Sequence, residues 1–353
     1  MAEFFPVRGA GGRELRLEEI EIDDDLDPGD YRSQRKAIVS NSSWSVPVYA
    51  RLSLHGRDGN KVSSRRVLLA NLPKTTDRFS YVVDGTEYQV TNLLKLKAGT
   101  YHYKSEAGPV VARFNLANPE GLHAGKAFKL KFDPERAEFS LEYGNSKVPA
   151  YHLLRSAGIS EEDLERAWGA DIASKNKAKT TPDKAMKSFR HALKEMKVNV
   201  PDDRLLGELL KKTVVDPSVM EATVGARAAS VTPQSLLSST KKLIGISRGD
   251  VSEDDPNSLR FLSVNGVDDL MADRLYRTMG AIRGRIVKNL DTPSKKSVGA
   301  VVPSRDTARS FENTVRSFFG LSEVNAVETS NPLAILGGNR KTTILGDQGG
   351  IQS

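Results

Sequence analysis

A chain of 353 residues, 38% apolar and 27% charged, is long enough for two folded domains and too apolar for a disordered one. It contains no cysteine, which excludes a disulfide framework, a thiolate zinc site, an iron–sulfur cluster and a cysteine nucleophile; a reducing cytosol fits. Apolar runs such as Val67-Leu68-Leu69-Ala70 fall far short of the roughly 18 residues that span a bilayer, and the N-terminus has no basic-then-apolar leader, so a membrane partner is not expected.

The net charge of +7 is unevenly spread. Between Glu14 and Asp30 nine acids face Arg16 alone, a segment of −8, which leaves +15 on the rest. Such a bias attracts a polyanion by releasing its condensed counterions. The acidic run, including Asp23-Asp24-Asp25-Leu26-Asp27, reads as a solvated face rather than a metal site.

The first third reads as strands. Val46, Val48, Ala50, Leu52 and Leu54 alternate with polar neighbours, Gly56-Arg57-Asp58-Gly59-Asn60 supplies a turn, and Val62 to Leu69 resumes a strand. A second hairpin turns at Asp84-Gly85 between Phe79–Val83 and Thr86–Val90, and a third joins 127–132 to Glu138–Tyr143. After Pro149 the period becomes helical: Ser160 and Asp163 suggest a capping box, Thr181-Pro182 starts a helix through Met186, Phe189, Leu193 and Met196, and 202–212 adds another. Residues 225–258 read as a loop-laden exit with a weakly helical insert at 236–244. Met271, Leu275, Met279, Ile282, Ile286 and Leu290 recur at helical spacing beside Arg274, Arg277, Arg285 and Lys288, predicting one long basic amphipathic helix over Val267–Leu290. A further helix runs from Thr307 through Phe311, Val315 and Phe318 to Gly320, and Asn331 to Ser353, with its glycines, reads as loop-forming.

No active site is visible. Gly121-Leu122-His123-Ala124-Gly125-Lys126 is one residue short of a phosphate-binding loop and has alanine where a hydroxyl should hold magnesium, and Lys341-Thr342 behind Gly337-Gly338 fails on spacing. The five histidines, His55, His102, His123, His152 and His191, form no metal or nucleophile pattern and read as structural.

Four collinear passages resemble the N-terminal half of the β subunit of multisubunit DNA-directed RNA polymerases. These are Asn41–Leu54 followed by Leu69–Thr76 and Phe79–Val90, with Asp84-Gly85-Thr86-Glu87 for the family's Asn-Gly-Thr-Glu; Lys129–Leu154 with Lys147-Val148-Pro149-Ala150-Tyr151-His152; Asp254–Leu290; and Phe318-Phe319-Gly320 through Asn331-Pro332-Leu333 to Arg340-Lys341-Thr342-Thr343-Ile344-Leu345-Gly346. The resemblance implies an α+β fold: a β-rich protrusion-like domain (1–148 and 255–330), an inserted helical lobe-like domain (149–254), and a Gly-rich fork-like tail (331–353) that another chain completes. It implies a part of a DNA-dependent RNA polymerase without the reaction centre, forming a wall of the channel for DNA and the RNA–DNA hybrid. There Arg277, Arg285, Lys288, Arg340, Lys341 and Thr342 would meet nucleic acid.

The family's catalytic magnesium is held by an Asn-Ala-Asp-Phe-Asp-Gly-Asp loop of the β′ subunit, and that loop does not occur in this sequence. No cofactor is therefore expected on this chain, only magnesium in the assembled enzyme. Expected partners are a C-terminal β polypeptide, β′ polypeptides and a promoter-specificity subunit, because Leu345 and Ile351 lack a local core. A divergent, truncated β half resembles the split subunits of large-genome bacteriophages, active in the host cytoplasm or packaged in the virion. Glu328, Gly338 and Thr343 stand where bacterial β subunits usually carry Asp, His and Ser in the rifamycin pocket, which implies rifampicin resistance. A free-standing nucleic-acid-binding or virion structural protein with a β-like fold is the alternative.

Overall fold

A computed structural model describes residues 4–116, 128–193, 201, 204–211, 213–328 and 331–345. The chain forms two compact units: residues 1–95 with 264–353, and residues 96–263.

The first unit opens with β1 (Val7–Arg8), β2 (Glu14–Ile22), α1 (Tyr31–Val39), β3 (Ser45–His55) and β4 (Lys61–Pro73). The four strands form an antiparallel sheet in that order. The alternation in β3 works as expected: Val46, Val48, Ala50, Leu52 and Leu54 are all buried. The acidic run divides: Glu14, Glu18, Glu19 and Glu21 lie on β2, while Asp23, Asp24, Asp25 and Asp27 follow it outside any strand and are exposed, and neighbouring strands supply counter-ions. Glu18 meets Lys61 at 2.6 Å, Glu21 meets Arg51 at 2.7 Å and Arg66 at 2.6 Å, Asp23 meets Arg66 at 3.0 Å, and Asp24 pairs with Lys74. The Arg51 and Arg66 guanidiniums hold the Glu21 carboxyl below its usual range. Such exposed pairs add little stability, but they occupy cations that would otherwise be open to a polyanion.

β5 (Tyr81–Val83), β6 (Thr86–Val90) and β7 (Asn92–Leu96) follow. Asp84 and Gly85, at φ of 47° and 79°, make the tight turn between β5 and β6 that Asp-Gly favours.

The second unit is a five-stranded antiparallel meander, β8 (Gly99–Lys104), β9 (Val110–Asn115), β10 (Phe128–Asp133), β11 (Glu138–Tyr143) and β12 (Ser146–Pro149), followed by α2 (Ala150–Ser156), α3 (Glu161–Trp168), α4 (Ala170–Ala178), α5 (Pro182–Ala192), α6 (Leu205–Lys211), α7 (Pro217–Val224) and α8 (Pro233–Arg248). Ser160 caps α3 by accepting the Asp163 N–H at 3.0 Å, as its spacing predicts. Residues 117–127, which include the Gly121–Lys126 segment and His123, lie outside the described residues, as do Met196 and Lys197.

One core joins sheet and helices: Phe114, Phe128, Leu130, Phe139 and Leu141 from the strands meet Leu153, Leu164, Trp168, Phe189, Leu206 and Leu243 from the helices. The strands from β8 onward bury their apolar face under these helices and share one compact unit with them, residues 96–263. Within 225–258 the weakly helical insert expected at 236–244 is a full helix. Thr232 and Ser235 close a reciprocal cap, Gly249 ends the helix at φ 82°, and the 16 residues between are α8, with Leu236, Leu243, Ile244 and Ile246 buried.

The chain then continues through β13 (Leu262–Asn265), α9 (Val267–Leu290), α10 (Val298–Val301), α11 (Ser304–Phe318), β14 (Val324–Ala326), α12 (Pro332–Arg340) and β15 (Thr342–Thr343). Ile282, Ile286 and Leu290 of α9, with Phe311 of α11 and Val298 and Val301 of α10, pack on Ala50, Leu52, Leu54, Val67 and Leu69 of the sheet. A second cluster gathers Val83, Leu93, Leu270, Val315, Phe318 and Phe319. Fully burying one aromatic such as Phe318 contributes roughly 2–3 kcal/mol. The tail is not a plain loop: nine of its residues are α12, and β15 runs parallel to β7; just before it, β14 pairs with β6 antiparallel. Among the described residues no helix is long and apolar enough to cross a membrane.

Candidate nucleic-acid interface

The helix α9 occupies the residues its periodicity predicts. Asp268 and Asp269 fill its first turn, and the Asp269 carboxylate accepts the Gly266 N–H at 3.3 Å, so negative charge sits at the positive end of the dipole. At the other end the Arg13 guanidinium donates to the carbonyls of Leu290 and, at 2.8 Å, Thr292, which satisfies groups the helix leaves orphaned. Arg13 was invisible as a cap from sequence, because 277 residues separate it from Leu290.

With its apolar seam spent on the sheet, α9 turns its cations outward. Arg285 and Lys288 are exposed, and neither has a carboxylate partner among the described residues. Arg285 reaches the Ser310 hydroxyl of α11 at 3.4 Å, and Arg274 reaches Ser317 of α11 at 3.4 Å. A hydroxyl is a weak claim on a guanidinium with five N–H donors, so most of Arg285 stays free for an anion. The side chain of Arg277 lies outside the described residues.

Sequence reading missed a second set of cations. Arg305 and Arg309, one turn apart, and Arg316 project from α11 and line an open groove of about 610 Å³ with Leu68 and Asn313. Arg316 is paired with Asp84 at 3.1 Å, whereas Arg305 and Arg309 have no ion-pair partner among the described residues. The i, i+4 spacing on a helix whose other face is Phe311, Val315 and Phe318 was the available signal.

The other expected contacts sit on the C-terminal segment. Arg340, Lys341 and Thr342 are exposed, and the backbone beneath them is fixed, since the Lys341 carbonyl accepts the Asn92 N–H at 3.2 Å and Thr342 pairs with Asn92. Glu328 is exposed just beyond the hydrogen bond from the Val327 N–H to the Glu87 carbonyl. Thr343 turns its hydroxyl to its own backbone, accepting the Leu345 N–H at 3.1 Å. At Gly338 a β-carbon would lie 2.4 Å from Oε1 of Gln89, so its missing side chain makes room for a neighbour within the protein. Gly337 has open space around it.

Among the described residues no three His, Asp or Glu side chains are grouped to hold a metal. His102 is buried against Asp254, His55 meets the Gly59 carbonyl at 3.0 Å, and His152 meets the Thr180 carbonyl at 2.9 Å. The exposed cations on α9, α11 and the C-terminal segment are groups with which an anion's charges can pair.

No protein-family model matches the chain. Its similarity is to proteins named DNA-directed RNA polymerase subunit beta: 24% identity to that of Rhodomonas salina over 88% of this chain and 29% of the relative, 23% to that of Thermosynechococcus vestitus over the same shares, and 23% to that of Synechocystis sp. over 96% and 31%. Distant relatives over about nine tenths of this chain are thus RNA polymerase β subunits, and the chain spans about three tenths of their length.

Proposed function

We infer that this chain is the N-terminal β-subunit part of a multisubunit DNA-directed RNA polymerase, shaping a wall of the channel that holds DNA and the RNA–DNA hybrid. The observation that carries the reading is the extent of the similarity: a single named subunit aligns with both units of the fold, nearly end to end. The first unit would serve as protrusion and start of the fork, the second as lobe. Arg285 and Lys288, with Arg277 on the same helix, and Arg340, Lys341 and Thr342 would neutralise phosphates without reading bases.

Phosphoryl transfer needs metal ions and aligned phosphates. In this reading the magnesium is held by aspartates of a β′ polypeptide, and the present chain orients nucleic acid toward it. A polypeptide carrying the rest of β would cover Leu333, Leu336 and Leu345, which are 75%, 58% and 63% exposed on α12 and after β15. A promoter-specificity subunit would complete the assembly. The divergence from these relatives, 23–24% identity, supports a large-genome bacteriophage enzyme that transcribes phage genes in the host cytoplasm or travels in the virion.

Reconstitution tests the reading. The chain should co-purify with polypeptides supplying the β remainder and β′, and omitting it should abolish nucleotide incorporation on a primed scaffold. A complete assembly that incorporates nucleotides equally well without it would refute the proposal.

A further inference from the structure

Phe79 combines two properties that folding disfavours. Its φ is +57°, a left-handed conformation in which the β-carbon of a bulky residue crowds the following carbonyl, and its ring is 70% exposed. The surrounding turn imposes the conformation. Thr76 N–H donates to the Ser80 carbonyl at 2.9 Å, Phe79 N–H to the Thr76 carbonyl at 3.0 Å, and the hydroxyls of Thr76 and Ser80 lie 2.7 Å apart. Glycine would satisfy that turn without crowding, so neither the backbone nor the ring of Phe79 serves the fold. A strained residue held by an over-determined turn is a candidate for function.

Its surroundings say what it could meet. Tyr31, 56% exposed, donates its hydroxyl to Asp77 at 2.9 Å, and the Arg78 guanidinium lies 4.7 Å from its ring centroid. Arg78 is itself held by Glu87 at 2.9 Å and by Gln34 at 3.0 Å. The ring of Tyr31 is therefore fixed in position beside a guanidinium. From Tyr31 the helix α1 continues with exposed Arg32, Arg35 and Lys36, and the side chains of Arg35 and Lys36 have no partner among the described residues. The neighbouring acids are engaged: Asp27 accepts Gly29 N–H, Asp30 caps α1 and lies beside Arg32, and Asp77 holds Tyr31.

Exposed aromatic faces, a stacked guanidinium and unpaired cations are the components with which proteins hold single strands, stacking the bases and neutralising the phosphates. A duplex hides its base faces and cannot use them. We propose that Phe79 and Tyr31 form a stacking platform for unpaired bases of single-stranded nucleic acid, with Arg35 and Lys36 taking the adjacent phosphates. The proposal rests on the nucleic-acid reading above, but on elements different from α9.

The test uses the full chain and a fluorescein-labelled oligothymidylate, read by anisotropy. Phe79→Ala and Phe79→Gly should each weaken binding about tenfold, while Phe79→Gly raises the thermal midpoint because the strain is gone. Phe79→Trp should retain affinity, with its added fluorescence quenched by the oligonucleotide. Arg35→Glu with Lys36→Glu should weaken binding further as salt is lowered. Unchanged affinity in Phe79→Ala and Phe79→Gly would overturn the proposal. So would loss of a co-purifying polypeptide in those variants with oligonucleotide binding intact, which would assign the platform to a protein. Arg285→Ala with Lys288→Ala, measured on duplex DNA, reports on α9 separately, so either reading can fail while the other stands.

Discussion

Asp254 returns to His102 across 152 residues and places Oδ2 2.7 Å from the imidazole Nδ1 and 2.9 Å from the His102 backbone nitrogen. Its own N–H donates to the His102 carbonyl at 2.8 Å, and its second oxygen accepts Lys242 Nζ at 2.7 Å. One carboxylate thus ties together β8, α8 and the segment that leaves the second unit. Removing it strands two cationic or polar groups in the interior, so Asp254→Ala should destabilise that unit by about 3–5 kcal/mol, read as a lowered urea midpoint.

The same cluster gives a pH dependence. Burial outweighs the Asp254 hydrogen bond and holds His102 below its ordinary pKa of 6.5. Burial also opposes ionisation of Asp254, but hydrogen bonds from His102 and Lys242 outweigh it and keep its carboxyl below 3.8. Both groups bind protons more readily in the unfolded chain, so stability rises with pH. The His102 contribution is complete above 6.5 and is lost as pH falls below it toward the folded pKa; that of Asp254 is lost only in stronger acid. The thermal midpoint should therefore fall between about pH 7 and pH 5, and His102→Asn should flatten that slope while lowering the midpoint at neutral pH. A midpoint that rises on acidification would contradict the assignment.

In the proposed polymerase, Gly338 and Gln89 would bear on drug response. Gln89 is 8% exposed and donates to the Ile335 carbonyl at 2.9 Å, and a β-carbon at Gly338 would strike its Oε1. An imidazole at this position is excluded unless Gln89 gives way. The assembled enzyme should resist micromolar rifampicin, and Gly338→His alone should lower stability rather than restore inhibition. Inhibition of the parent assembly by the drug would sink the assignment of Glu328, Gly338 and Thr343.

On α9, each lost phosphate contact flattens the dependence of log K on log salt by about 0.9 for duplex DNA. Arg285→Ala with Lys288→Ala should reduce the slope by about 1.8, with little change in thermal stability, since both side chains are exposed. An unchanged slope would remove α9 from the interface.

Asn176 offers a check on the second unit. Its Oδ1 accepts Phe139 N–H at 2.7 Å and its Nδ2 donates to the Ala137 and Ile172 carbonyls at 2.8 Å, holding Ala137 at a φ of 51°. Asn176→Ala should cost about 2 kcal/mol, because a buried N–H is left unsatisfied. Equilibrium denaturation measures it.

Periodic elements were legible in advance. The stripe from Met271 to Leu290 marks α9 to the residue, and the alternation from Val46 to Leu54 marks β3, because a helix or strand with one buried face writes that face into the spacing of its apolar residues. α1, with Ala37 and Gln34 its only buried residues, carries no such stripe and was missed. α8 shows in the sequence only as a weakly helical insert at 236–244, because its serines, threonines and glycine disguise the ends of a helix whose Ser239 and Thr240 are fully buried.

Partners across long sequence separations were a different matter. The acidic run could be counted from composition, but whether Glu21 faced water or Arg51 and Arg66 depended on β2 pairing with β3 beside β4. Likewise nothing local to Gly338, His102 or Phe79 reveals that the first shelters Gln89, the second is locked to Asp254 and the third is forced to a left-handed turn with its ring in solvent. Local spacing encodes which way a side chain points from its own element. Which group it then meets is set by register, turn geometry and packing, and these exist only once distant segments have been brought together.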